Sequence, residues 1–385
     1  MTLAGPRVPF FWGWLARKLA VLLREGEAPR RVVAEAAIRI SLFGTTQAGW
    51  LADEVVAPGW RRARFSGPLF ILGHQRSGTT FLHRLLAEDE RFYALKLHEQ
   101  LLPAVTLQRG LAALGAFDRA RLGGRLSARL SEVEERLFSP LDDIHRLRFS
   151  EIEEDEFVLW GLFASAMAAN DTPRAAASAA LDGLRDFDGW PRSRQRQALG
   201  YYRAVLTKAA HRRARPGRPA PWIVAKNPAF THKVAALQAT FPGARFVHLH
   251  RDPVEAIPSR LSLIRAIWRR RVPGFTEMSR AQVETVLRDS VRTYRAAWRN
   301  AQTLGPDALV VVDYRSLRED PAGEVRRTLA RLGLGAPDAE LTARLDALRP
   351  APPSGHRYAL EEFGLTREDL AARLGEAAAP PPDPG

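Results

Sequence analysis

The chain of 385 residues contains no cysteine, which excludes disulfides, zinc-thiolate sites and a cysteine nucleophile. A reducing compartment is the simpler expectation for such a chain. Lysine is almost as scarce. Lys18, Lys96, Lys208, Lys226 and Lys233 are the only lysines among 57 basic residues, so each one invites a reason for its compact charge. Long hydrophobic runs are missing as well: no stretch reaches the roughly 20 apolar residues that a membrane-spanning helix needs. The N-terminus lacks the small-residue cleavage site of a secretory signal, and the expected location is the cytoplasm, with the inner face of the membrane left open. Basic stripes with interleaved aromatics, the footprint of nucleic-acid binding, are not found either. The formal charge of +14, from 57 basic against 43 acidic residues, rests on an arginine and alanine bias and is compatible with an anionic ligand.

What is present begins with 46% hydrophobic residues, enough for a substantial core. The chain is organised around Pro68 to Leu86. Leu69 to Leu72 is a short apolar run that reads as a buried strand, Gly73 ends it, and Phe81, Leu82, Leu85 and Leu86 then recur at helical spacing. Between them lies Gly73-His74-Gln75-Arg76-Ser77-Gly78-Thr79-Thr80. A strand, a glycine-bounded loop and a helix in that order aim backbone N–H groups and a positive helix end at one point, which suits a phosphate or sulfate. The spacing is that of the nucleotide loop G-x-x-x-x-G-K-[ST], but Thr79 stands where the lysine belongs, and the loop's own cation is Arg76.

Along the rest of the chain, Trp222 to Ala225, Arg245 to His250 and Ala308 to Val312 read as further strands, separated by helical patterns. The β-α-β-α order predicts an α/β fold with a P-loop-type parallel sheet flanked by helices. The expected organisation is one domain over residues 1–375. It has a helical N-terminal segment over 1–60, a helical insertion over 101–215 set to form the substrate pocket, and a disordered Pro/Ala tail over 376–385. Within the insertion Leu107 to Phe138 is helical and Ser139-Pro140-Leu141-Asp142-Asp143 breaks it. Val8 to Glu25 concentrates Phe10, Phe11, Trp12 and Trp14 with Arg17, Lys18 and Arg24. Such a helix either packs on the protein's own core or lies in a membrane interface.

Two further pieces sit at strand ends. Arg251-Asp252-Pro253 follows one strand, with Ser259 eight residues beyond Arg251, a spacing that lets an arginine and a hydroxyl two turns away grip one phosphate. Lys226, in W-I-V-A-K-N-P, ends another.

Q-R-S-G-T-T-F-L resembles the 5′-phosphosulfate loop of sulfotransferases that use 3′-phosphoadenosine 5′-phosphosulfate (PAPS). R-D-P-V-E-A-I-P-S resembles the segment with which they hold the 3′-phosphate, and A-K-N-P the segment whose lysine reaches the transferring group in tyrosylprotein and carbohydrate sulfotransferases. The resemblance covers Pro68 to Val105 and Trp222 to Leu334. The patch H-R-Y-A-L-E-E-F-G-L is similar to the ending of a group of bacterial members, some with lipid-like acceptors. It implies that PAPS is the sulfuryl donor, bound by Arg76, Ser77, Gly78, Thr79, Thr80, Arg251 and Ser259, with Lys226 and Arg76 acting on the transferring group and no metal. Asn227 stands where the pattern often has serine.

A general base is less legible. Glu99 lies about as far past the loop as the catalytic glutamate of tyrosylprotein sulfotransferases, His98 is beside it, and Glu154 belongs to an E-D-E-F string that resembles bacterial members, although capping of a helix start explains such acids equally well. The expected acceptor is a hydroxyl compound, either lipid-like or another small molecule such as a sugar. The competing readings are an ATP-dependent P-loop phosphotransferase and a non-catalytic membrane-surface protein.

Overall fold

The computed structural model describes residues 7–139, 142, 146–348 and 358–384. Pro140, Leu141 and Asp143 of the expected break, and His356 and Arg357 of the C-terminal patch, lie outside them. The chain divides into two compact units. One comprises Met1–Phe65, Leu95–Ala220 and Ala266–Phe275, the other Ser66–Ala94, Pro221–Arg265 and Thr276–Gly385.

The first unit is helical. Its leading elements are α1 (Trp12–Arg24) and α2 (Pro29–Val56). α1 turns Trp14, Leu15, Val21 and Leu22 inward, and even Lys18 is fully buried. Its aromatic stripe is therefore core, with Trp12 and Leu23 left exposed. Lys18 is tolerated there because Glu35 and Asp171 take its charge at 3.0 and 2.5 Å. Trp50 on α2 and Trp60 on the turn Pro58–Arg62 that follows are wholly buried and face Lys208 of the helix Arg192–Arg213 at 3.8 and 4.3 Å, while the Asp53 carboxylate holds the same ammonium at 2.5 Å. The N-terminal helices and the insertion thus find their apolar and ionic partners in each other, which is why they form a unit of their own.

The second unit is built on five parallel strands: β1 (Gly67–Gly73), β2 (Phe92–Tyr93), β3 (Trp222–Lys226), β4 (Arg245–His250) and β5 (Leu309–Asp313), in the order β2-β3-β1-β4-β5. β2 is a two-residue edge strand, too short to show in a sequence pattern. β1 is apolar throughout and buried at every position, as a central strand covered on both faces must be. Phe70 on it meets the rings of Phe230, Phe241 and Phe246 at 5.5 to 5.8 Å. After β1 the chain passes through α3 (Thr79–Leu86) toward the β2 side, whereas after β4 it passes toward β5. The connections diverge between the carboxyl ends of β1 and β4, the place where open α/β sheets bind ligands.

Two local expectations change. Leu107 to Phe138 is not one helix but α5 (Val105–Arg121) and α6 (Arg125–Phe138), after α4 (Leu97–Leu101). Gly123 and Gly124, at φ 61° and 82°, break it. At the C-terminus, residues 375–378 form a helical turn, Trp298 donates to the Ala379 carbonyl at 3.0 Å, and Asp383 pairs with Arg331 at 2.5 Å. The Pro/Ala composition suggested disorder, but Ala377 and these two contacts hold the segment down.

Candidate active site

The loop after β1 has the geometry of an anion cradle. Gly73, at φ 137°, ends the strand where an added Cβ would stand 2.4 Å from the Leu249 carbonyl oxygen. Gly78, at φ 85°, is the residue before α3, and a Cβ there would come within 2.9 Å of the Tyr314 ring. Between them Arg76 adopts φ 73°, a left-handed conformation that costs a non-glycine residue roughly 1–2 kcal/mol. Strain of this kind persists where the surrounding structure fixes it and clusters at functional sites. No side chain caps the start of α3, so its first N–H groups remain for a ligand. The Ser77 hydroxyl is fully buried and finds no hydrogen-bond partner among the described residues. A buried polar group left unmade costs stability, and a bound anion would satisfy it.

Cations from three strand ends converge on this loop. Arg76 donates from Nε to the Ser259 hydroxyl at 3.2 Å. Arg251, just past β4, donates to the Arg76 carbonyl at 2.8 Å, lies 4.5 Å over the Tyr314 ring, and pairs with Glu255 at 3.2 Å. Ser259 and Arg251, which the sequence pairs by spacing, both contact Arg76, the first through its hydroxyl and the second through the Arg76 carbonyl. Lys226, at the end of β3 and 1% exposed, donates to the Thr80 hydroxyl at 3.2 Å. It reaches the loop because Lys226 is in register with Ile71 of β1. Arg76, Ser77, Gly78, Thr79, Thr80, Lys226, Arg251 and Ser259 are thus all carried by the sheet unit.

The three base candidates belong to the helical unit. Glu99 is occupied structurally: Oε2 accepts the Lys96 N–H at 2.9 Å at the start of α4, and Oε1 accepts from Arg212 at 2.7 Å. Glu154 is half-buried ahead of the helix Glu156–Trp160, its N–H donating to the Glu153 carboxylate at 2.8 Å. His98 differs from both. Burial lowers its pKa below 6.5, so the imidazole is neutral at pH 7, and Nδ1 has no hydrogen-bond partner among the described residues.

A family profile described as "Sulfotransferase family" matches residues 68–338. The chain belongs to the sulfotransferase family. Among curated proteins it is similar to omega-hydroxy-beta-dihydromenaquinone-9 sulfotransferase Stf3 of Mycobacterium bovis, 27% identical over 317 residues covering 79% of this chain and 71% of that protein. The Mycobacterium tuberculosis protein of the same name matches equally. Among solved structures, sulfotransferase STF1 from Mycobacterium tuberculosis aligns with a TM-score of 0.63 and 21% identity over 94% of this chain and 92% of that one. Sulfotransferase STF9 from Mycobacterium avium follows at 0.62 and 21%, over 87% and 83%. These structures share the fold.

Several side chains of this sulfotransferase's loop region escape sequence reasoning. Thr231 accepts the Gly73 N–H at 3.1 Å and fixes the loop's first residue. Arg260 donates to the Gln75 side chain at 2.9 Å and to Ser290 at 2.8 Å. His74 places Nδ1 2.6 Å from the Gln75 carbonyl and Nε2 3.0 Å from Ser290. Burial and the Arg260 charge push its pKa well down, so it is a neutral linker with Nδ1–H donating to the carbonyl. Adjacency to Ser259 and Arg76 was the only signal available for Arg260 and His74, and it does not reveal which way a side chain turns.

Proposed function

We propose that the protein transfers a sulfuryl group from PAPS to the hydroxyl of a lipid-like acceptor. The observation that carries this reading is the uncapped start of α3 beside a buried, unsatisfied Ser77 hydroxyl, with Arg76 and Lys226 converging on the same loop. When bound, PAPS would supply the sulfuryl group and a phosphate leaving group. Loop N–H groups, Arg76, Ser77, Thr79 and Thr80 would hold its phosphosulfate, and Ser259 and Arg251 its 3′-phosphate. As the acceptor oxygen bonds to sulfur and the bridging S–O bond breaks, negative charge grows on the leaving phosphate oxygen. Fixed cations at that point stabilise the transition state more than the ground state. Lys226 and Arg76 take this role.

The acceptor's proton needs a base. His98 takes precedence over Glu99 and Glu154, because its imidazole is neutral and Nδ1 has no partner among the described residues, while Glu99 already serves a helix start and Arg212. The likeness to a sulfotransferase named for a menaquinone derivative supports a hydrophobic acceptor, and residues 101–215 are the proposed source of its pocket. The reading is tested with radiolabelled PAPS against a polyprenol, a sugar and a phenol. Label in the polyprenol fraction, lost in Lys226→Met, is the expected result. Label transferred to the sugar alone would overturn the acceptor class, and phosphate transfer from ATP in place of sulfuryl transfer would overturn the reaction.

A further inference from the structure

α5 and α6 form a helical hairpin whose outer part buries almost nothing. The Asp118 carboxylate fixes its turn, accepting the Leu126 and Ser127 N–H groups at 2.9 Å each and the Ser127 hydroxyl at 2.6 Å. α6 has no buried residue. Leu126, Leu130, Val133 and Leu137 fall at i, i+4, i+7 and i+11, one face of a helix, and the last three are 56%, 47% and 57% exposed. On α5, Leu114 and Phe117 are 51% and 53% exposed. Leaving such a face in water forgoes its burial energy.

The charges on the hairpin say what covers it. Arg109, Arg119, Arg121, Arg125, Arg129 and Arg136 make no hydrogen bond or ion pair with a described residue. Its acids are largely spent: Asp118 on the turn, Glu134 on the Phe149 N–H, Glu135 on Arg148 at 3.3 Å. Exposed apolar side chains interleaved with arginines that have no described partner match a surface that is apolar below and anionic above. A second copy of the chain would instead bring the same arginines face to face.

We propose that the α5–α6 hairpin docks the protein on an anionic lipid surface, with its leucines and Phe117 in the acyl boundary and its arginines on the headgroup phosphates. α1, whose composition suggested this role, cannot take it, because its aromatic face is core. No described helix is long and apolar enough to cross a membrane, and a surface contact needs none.

The test is flotation of the full chain with vesicles of phosphatidylcholine alone or mixed with phosphatidylglycerol. The wild type is expected on the mixed vesicles. The pair Leu130→Asp with Val133→Asp, and the pair Arg125→Glu with Arg129→Glu, are each expected to lose about tenfold in partitioning. Circular dichroism and binding of adenosine 3′,5′-bisphosphate should be unchanged in both, separating docking from the donor site. Wild type that binds neither vesicle, or variants that float like wild type, would overturn the proposal, as would a wild-type dimer that Leu130→Asp dissolves.

Discussion

The two units differ in what their cations meet. In the helical unit the buried Lys18, Arg39 and Lys208 each meet an acid. Lys208 is held by Asp53 and two indole faces, and Lys18 and Arg39 share Glu35 and Asp171. In the sheet unit the loop after β1 leaves the Ser77 hydroxyl unmatched, keeps α3 uncapped and holds Arg76 in a costly backbone conformation against a neutral hydroxyl. Self-satisfied charges stabilise a fold. An uncapped helix start beside a strained cation is the arrangement that an arriving anion would complete.

This contrast predicts which unit answers to which substitution. The largest effect on stability is expected in the helical unit, where Asp53→Ala leaves the Lys208 ammonium buried without its acid and the start of α5 uncapped. A broken buried pair costs about 3–5 kcal/mol, readable as a lower urea midpoint with bisphosphate affinity retained. The pH dependence has a definite sign. Burial raises the Asp53 pKa, but hydrogen bonds from Lys208 and Thr106 outweigh it, so the folded value lies below 3.8. The associated stability is therefore complete above 3.8 and lost as pH falls through the lower folded value. Asp53→Asn should flatten that acid limb.

Lys226→Met should reverse the pattern, with the melting temperature little changed and kcat lower by about a hundredfold to a thousandfold, the cost of losing one donor to developing charge. Next in size, Gly78→Ala forces a methyl group toward the Tyr314 ring in a left-handed conformation. The strain alone is roughly 1–2 kcal/mol, and bisphosphate affinity should fall with stability. His98→Gln should abolish the fall of kcat/KM expected as pH drops below 6.5, the range in which a buried neutral imidazole becomes protonated. An unaltered pH profile in that variant would return the role of base to Glu99 or Glu154. The smallest effect belongs to Glu255→Ala. It removes an exposed partner of Arg251 and Arg315, worth no more than about 1 kcal/mol, and should slightly raise bisphosphate affinity by releasing Arg251.

What the sequence made legible follows from how far apart the cooperating residues lie. The cradle could be read because a strand, its loop and the next helix are contiguous, so spacing alone carries the geometry. The parallel sheet could be read because β-branched runs alternate with helical periods. The contact between Arg76 and Ser259 joins residues 183 apart, and the Thr231 hydroxyl reaches Gly73 across 158. No local pattern encodes which rotamer closes such a gap. The aromatic stripe of α1 was legible as a helix face, but a buried face and a membrane face have the same periodicity, and only the packing of Trp14 and Leu22 distinguishes them. The exposed stripe of α6 is the converse: leucines at core spacing that have no core to face.

The central claim is that the loop after β1 and the arginines beside it form a donor site. Calorimetric titration with adenosine 3′,5′-bisphosphate, set against ATP, on wild type, Arg76→Ala and Arg251→Ala tests it most directly. Preference of the wild type for the bisphosphate, with about tenfold weaker binding in each variant as expected for loss of a charge-assisted hydrogen bond, is the predicted result. Preference for ATP, or bisphosphate binding indifferent to both arginines, would contradict it.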